Sequence, residues 1–320
     1  MAVPQSASAS VGGGNVSVGW SIPDTPSSGL SNITFPLTVE KATAHQSGLY
    51  FAQQFNFGDA MGYTGLQPRE NAGGHERLSA RFSTFTGGST TTDPNCHEGA
   101  DGGPGVTCAV DFDAVYGHRY DIKVARSGTD TWTGTARDTV TGTSTHLGTW
   151  TLPAGSGNLQ GSQGGFVEYY LAVPSCATMP RTDVVFGGPT STDAGGLKGT
   201  SKANYEYSDC VGEANYAAET VGTGTHITRG AVSAGAAAKA TGKPSAASAA
   251  PTPNATDTAH TDTAHPDVKA QAASTPGPDQ KLAQTGGGSL PLAGAGAAVL
   301  AVGGGLLWMN RRRRNGSTGA

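Results

Sequence analysis

The chain reads as an all-β protein, a sandwich or jelly roll, on three observations. Short apolar runs alternate with polar residues at a spacing of two, glycine fills 49 positions, and charged residues make up only 14% of the chain. Alternation over four to eight residues marks strands with one buried face, and many short strands between glycine-rich turns favour a two-sheet architecture. Ahead of residue 290 no segment sustains the 3.6-residue apolar period of a helix.

Residues 1–10 are small and polar and predict a disordered start. They lack the basic and then apolar segments of an export signal, so the start is read as trimmed, with a signal segment expected upstream. Residues 11–229 read as one folded unit. Ile33, Phe35, Leu37 and Val39 alternate with Thr34, Pro36 and Thr38, and Pro36, which has no N–H to donate, predicts an edge strand. Leu49, Phe51, Phe55 and Phe57 share one parity. So do Leu78, Ala80 and Phe82, set against Arg77, Ser79 and Arg81, and Tyr120, Ile122 and Val124, set against Asp121 and Lys123. Val140-Thr141-Gly142 between two further runs predicts a hairpin turn.

From residue 230 to 281 the composition shifts to Ala, Thr, Ser and Pro, including a tandem Thr-Asp-Thr-Ala-His that ends at His260 and His265. Such a stretch buries too little apolar surface to offset its ordering entropy and is expected to form a disordered stalk. Residues 282–286 read Leu-Ala-Gln-Thr-Gly. An apolar run follows over 290–309, then arginine at 311–314. About 20 apolar residues suffice to cross a ~30 Å hydrocarbon layer as a helix, and the arginines would hold that end on the cytoplasmic side.

The formal charge is −4, and removal of everything from Gly286 onward, with its four arginines and no acid, takes it to −8. Nucleic acid is therefore disfavoured as a partner. Four cysteines, Cys96, Cys108, Cys176 and Cys210, predict two disulfides in an exported chain. Three pairings are open, of which locality favours Cys96 with Cys108 and Cys176 with Cys210. No Cys-x-x-Cys spacing suggests zinc, and Asp111 with Asp113 is too few ligands for calcium. No metal or cofactor is expected.

The pentapeptide Leu282, Ala283, Gln284, Thr285 and Gly286, the span and the arginines together resemble the sorting signal of Gram-positive surface proteins. In these, sortase cleaves an LPXTG-type motif. Alanine in place of proline resembles the actinobacterial LAXTG variant. The resemblance implies a secreted protein with a transient membrane span, cleaved after Thr285 by sortase and joined through Thr285 to peptidoglycan. Residues 62–67, the loop from Cys96 to Cys108, the stretch from Trp132 to Gly142 and Phe166-Val-Glu-Tyr-Tyr170 resemble an uncharacterised family of secreted bacterial domains. That resemblance implies a concanavalin-like or lectin-like β-sandwich and brings no catalytic residues with it.

Site chemistry must then come from residue types. A hydrolase on such a scaffold would use carboxylates, and Glu168, on a strand with Phe166 and Tyr170 on its own face and Tyr169 on the other, is the first catalytic candidate. His75, at a Gly-rich strand entrance, is the second. No Gly-x-Ser-x-Gly elbow occurs. A sugar-binding site needs aromatic plates and polar side chains, a vocabulary supplied by Tyr63, Gln67, Arg69, Trp132, Tyr169 and Tyr170, with Glu98 and Asp101 on a rim. The leading expectation is a wall-anchored surface protein that binds a carbohydrate or extracellular matrix ligand. A wall-associated hydrolase of polysaccharide or peptide and a passive coat protein are the alternatives.

Overall fold

The computed structural model describes residues 10–232. The proposed stalk, pentapeptide, apolar span and arginine tail lie outside the described residues, as does the segment before residue 10. Within the described residues the protein is all-β, with two antiparallel sheets and two short 3₁₀ turns. There, no helix is long and apolar enough to cross a membrane.

One sheet has eight strands: β1 (Gly14–Ser21), β3 (Leu49–Phe57), β4 (Ala60–Ala72), β5 (His75–Thr84), β6 (Cys96–Ala100), β7 (Gly103–Ala114), β11 (Ser162–Tyr169) and β15 (Thr200–Ser208). Their spatial order is β15-β1-β11-β3-β4-β5-β7-β6. The second sheet contains β2 (Asn32–Val39), β8 (Arg119–Gly128), β9 (Thr131–Asp138), β10 (Ser144–Thr151), β12 (Thr182–Phe186), β16 (Ala217–Val221) and β17 (Gly224–Arg229). These run β10-β9-β8-β2-β12-β17-β16, with the short β13 (Thr190–Ser191) and β14 (Leu197–Lys198) attached through β2.

The alternation read from the sequence is the alternation that packs. Ile33, Phe35, Leu37 and Val39 of one sheet and Phe51, Phe55, Phe57, Leu78 and Phe82 of the other fill a single core between the layers. Phe82 stacks on Trp150 at 4.6 Å, and Phe57 lies 4.6 Å from Trp132. Each such pair adds about 0.5–1.5 kcal/mol beyond burial of its area. Gly65 shows how tightly the strands approach, since a Cβ there would lie 2.0 Å from the Phe51 carbonyl oxygen. The hairpin joining β9 to β10 turns at Val140–Gly142, with Gly142 at φ 78°.

Pro36 is corrected by the topology: β2 is an interior strand, paired with β8 on one side and β12 on the other. The reason is local. Partners in β12 run only from Val39 to Leu37, and Gly187 then donates to the Pro36 carbonyl at 2.8 Å. In a strand the N–H and C=O of one residue point the same way, so the missing donor of Pro36 faces the place where β12 has already ended.

Both expected disulfides are present, Cys96–Cys108 joining β6 to β7 and Cys176–Cys210 closing a longer excursion. Near the latter, Arg229 at the end of β17 is fully buried. It pairs with Glu206 of β15 at 2.9 Å and bonds the carbonyls of Asp209 and Cys210. Gly14 lies directly against the Arg229 guanidinium, so the first and last strands meet at one corner.

Candidate functional site: a buried polar row on the eight-stranded sheet

The outer face of the eight-stranded sheet, opposite the shared core, is assembled by register. Val16, Val167, Leu66 and Leu78 point into the core, so by alternation Asn15, Glu168, Gln67 and Ser79 point outward. Asn15 pairs with both Tyr207 and Glu168, and Glu168 pairs with Tyr50. Phe51 sits opposite Leu66, which puts Tyr50 opposite Gln67, and Gln67 pairs with Ser79. One transverse row therefore reads Tyr207, Asn15, Glu168, Tyr50, Gln67, Ser79. Adjacent strands are about 4.8 Å apart, so Glu168 and Gln67 stand about 10 Å apart at the backbone, with Tyr50 between them.

This row is buried and under-bonded. Glu168 is 6% exposed, while Tyr50, Gln67 and Ser79 are fully buried. The Tyr50 hydroxyl, the Gln67 Nε2 and the Ser79 hydroxyl have no protein hydrogen-bond partner. Buried polar atoms are ordinarily paired, because leaving one unpaired costs about 1–3 kcal/mol. Three such atoms stand in one row beside a buried carboxyl.

Aromatic rings supply the desolvation. Tyr50 meets Phe166 edge-on at 5.4 Å and Tyr63 at 5.3 Å, and Tyr63 meets Phe85 at 5.0 Å, in a second apolar cluster separate from the main core. Burial, helped by the negative charge of Asp101, pushes the Glu168 carboxyl up to about 7. Burial likewise raises Asp101, and it raises Tyr50 well above the usual phenol range. Asp101 arrives from the tight turn between β6 and β7, at φ 50°, and accepts a hydrogen bond from the Tyr63 hydroxyl at 3.2 Å.

Gln67 is held in one orientation. Its Oε1 accepts from Arg69 Nη2 at 2.6 Å and from Arg81 Nε at 3.4 Å. With the oxygen occupied, the Nε2 is left as a buried donor without a protein partner.

The structure thus brings Glu168, Tyr63, Gln67, Arg69, Asp101 and Tyr170 to one face and leaves four other sequence candidates elsewhere. Trp132 is fully buried between the sheets, opposite Trp150, as core and not a sugar plate. Tyr169 faces inward from β11 and packs where a Gly48 side chain would otherwise sit. His75 opens β5 after the exposed turn Gly73-Gly74, and Glu98 is exposed on β6. Both lie off the row. Tyr50, Ser79 and Arg81 join the face without being site candidates from the sequence, where Ser79 and Arg81 read only as the polar parity of a strand. Ser79 and Arg81 share a parity, as do Gln67 and Arg69, and that was the available signal. A separate depression of about 420 Å³, lined by Thr90–Pro94 and residues of β9 and β10, offers one carboxylate, Asp93, already bonded to His146 at 2.6 Å. Among the described residues no group of three or more His, Cys, Asp or Glu is arranged to hold a metal ion.

No family model and no curated protein sequence matches the chain. Solved structures similar to it include scytalido-glutamic peptidase with a transition state analog inhibitor, at 14% identity and a TM-score of 0.38, covering 70% of this chain and 98% of that one. A second structure of that peptidase, with a peptide-based transition state analog, gives 14% and 0.36 over the same shares. SCP-B, a member of the eqolisin family of peptidases in complex with the tripeptide Ala-Ile-His, gives 13% and 0.36, again over 70% and 98%.

Proposed function

We propose that this face hydrolyses an amide bond, with Glu168 as the proton-transferring group and Gln67 as the donor to the developing oxyanion. The observation that carries the reading is the pairing of a carboxyl raised to about 7 with an oriented, unpartnered amide N–H on one sheet face. A carboxyl poised near neutrality populates both forms at working pH, as acid–base catalysis requires. As carboxylate, Glu168 takes a proton from the water that attacks the carbonyl carbon. As acid, it returns that proton to the leaving nitrogen when the C–N bond breaks. Gln67 Nε2 donates to the carbonyl oxygen as it gains negative charge, a kind of interaction worth about 3–4 kcal/mol where measured.

A glycoside would proceed through a positively charged sugar. Arg69 and Arg81 beside Gln67 oppose positive charge and favour an oxyanion, so the peptide reading is preferred to the polysaccharide one. It rests on the side chains of this face alone.

The test is turnover of internally quenched peptides and of soluble polysaccharides by the full chain. Peptide cleavage whose rate climbs with pH through an apparent value near 7 is expected, and Glu168→Gln should abolish it. Retained cleavage in Glu168→Gln would remove Glu168 from the chemistry; cleavage of polysaccharide instead would move the reading to a glycoside.

We further infer that the domain is displayed outside the cell, joined to peptidoglycan through Thr285. Support comes from the Leu282–Gly286 pentapeptide with its apolar and basic followers and from two disulfides, which persist in oxidising compartments. Mass spectrometry of wall digests should recover a murein fragment on Thr285. Recovery of the chain with its arginines intact and no such fragment would refute the anchoring.

A further inference from the structure

Arg69 and Arg81 are unusual on this face in having no carboxylate paired with them, although the charge of Asp111, opposite Ser79 on β7, reaches Arg69. Arg77, on the same strand as Arg81, pairs with Asp113, and Arg229 pairs with Glu206. Among the described residues no carboxylate lies within 4.0 Å of either Arg69 or Arg81. Asp101 is near enough for Arg81 to be felt electrostatically, but its oxygens receive the Tyr63 hydroxyl. Burial pulls the Arg69 guanidinium below its ordinary range; Tyr170 and the charge of Asp111 oppose that shift, and the positive charge of Arg81 adds to it. Two cations brought together in a partly dry place cost free energy. Orienting Gln67 needs hydrogen-bond donors and does not need two positive charges.

We propose that Arg69 and Arg81 receive a carboxylate of the substrate, placed within two residues of the bond that is cleaved. Both guanidiniums reach the Gln67 Oε1, whose amide partner faces the reacting carbonyl. An extended peptide advances about 3.4 Å per residue, so a carboxylate reaching these donors belongs to a near neighbour of the scissile bond. It is either an acidic side chain or the substrate's own C-terminus. Arg81 spends only Nε on Gln67, leaving its two terminal nitrogens in the geometry that accepts a carboxylate in bidentate fashion. This inference rests on the hydrolase reading for its cleaved bond and not for its anion.

Peptides of eight residues, capped at both ends and differing only by Glu or Gln at one position, test it with the full chain. A third peptide carries Gln throughout and a free C-terminal carboxylate. At one position within two residues of the cleaved bond the Glu peptide should show at least about tenfold higher kcat/KM than its Gln twin, the scale of a charge-assisted hydrogen bond. That ratio should fall toward one in Arg81→Met, whatever the loss of absolute rate, and persist in Arg81→Lys, which keeps the charge. A free-carboxylate peptide that matches the Glu peptide assigns the group to the chain end. Equal turnover of all three by the wild-type chain overturns the proposal.

If no peptide is cut, calorimetric binding of the same peptides to the Glu168→Gln chain separates the two ideas. Tighter binding of the carboxylate peptides, lost in Arg81→Met, keeps the anion site while the hydrolase reading falls. Equal binding overturns the anion site as well.

Discussion

Glu168→Gln should make the protein more stable, by an amount that depends on pH. The native carboxyl is raised from 4.5 to about 7, chiefly by burial among Phe166, Tyr50 and their neighbours. Between those two values the folded state holds a proton that the unfolded chain has released. Stability is therefore highest below about 4.5 and declines as pH rises through the interval, reaching its full deficit above 7. At about 1.4 kcal/mol per pH unit, the deficit is about 3 kcal/mol. Glutamine has the same shape and no charge to bury, so the variant escapes the penalty. Urea unfolding of wild type and variant at pH 4.5 and pH 8, with the disulfides intact, should give similar midpoints at the lower pH. At the higher pH the variant should gain about 3 kcal/mol, or about 6–12 °C in melting temperature for a domain of this size. A difference that is the same at both pH values would refute the claim that burial of a charge is its source.

Gln67→Met removes the proposed oxyanion donor while keeping side-chain length. It should lower kcat by about 10²–10³ with a smaller change in KM, read from steady-state peptide cleavage. Replacing Cys96 and Cys108 together by serine should cost about 3 kcal/mol of unfolding free energy. It should also free the β6–β7 turn that brings Asp101 to Tyr63, visible as faster amide exchange over residues 97–107. Protonated His226 donates through Nε2 to Asp183 at 2.6 Å and through Nδ1 to Glu219 at 3.1 Å. Burial alone would lower its pKa, but these two acids raise it above 6.5. Its ion pairs thus stabilise the fold fully below about 6.5 and fade as pH climbs through the raised value. His226→Gln should flatten that part of the stability profile, and an unchanged slope would exclude His226 as its cause.

Much of the sandwich was legible because period-two alternation is a one-dimensional record of which face is dry. Ile33 through Val39, Leu78 through Phe82 and Tyr120 through Val124 pack as their parity requires. Parity also sorted Glu168 from Tyr169 correctly. What alternation does not carry is which strand lies next to which. Trp132 has the composition of a binding plate and the parity of a core residue, and only its place opposite Trp150 decides between them. Pro36 obeyed the edge rule at the scale of three residues and broke it at the scale of the sheet, because β12 stops short. The row from Glu168 to Ser79 depends on three registers, the widest of which pairs Glu168 with Tyr50, 118 residues away in sequence. No local pattern contains them. Gln67 and Arg69 were recognisable as polar residues of one parity, whereas the bond that fixes the amide's orientation is a product of assembly.

The corner where Gly14 meets Arg229 has a mechanical consequence. Chain attached beyond either β1 or β17 leaves the domain from neighbouring points, and Asn15, next to Gly14, is already part of the row that contains Glu168. A pull delivered through the exit strand falls at Arg229 on both the Glu206 ion pair, which ties β17 to β15 of the other sheet, and the Thr182 end of the β12 ladder. Such a fastening lets the molecule be tugged by one end while the spacing between Glu168 and Gln67 stays fixed.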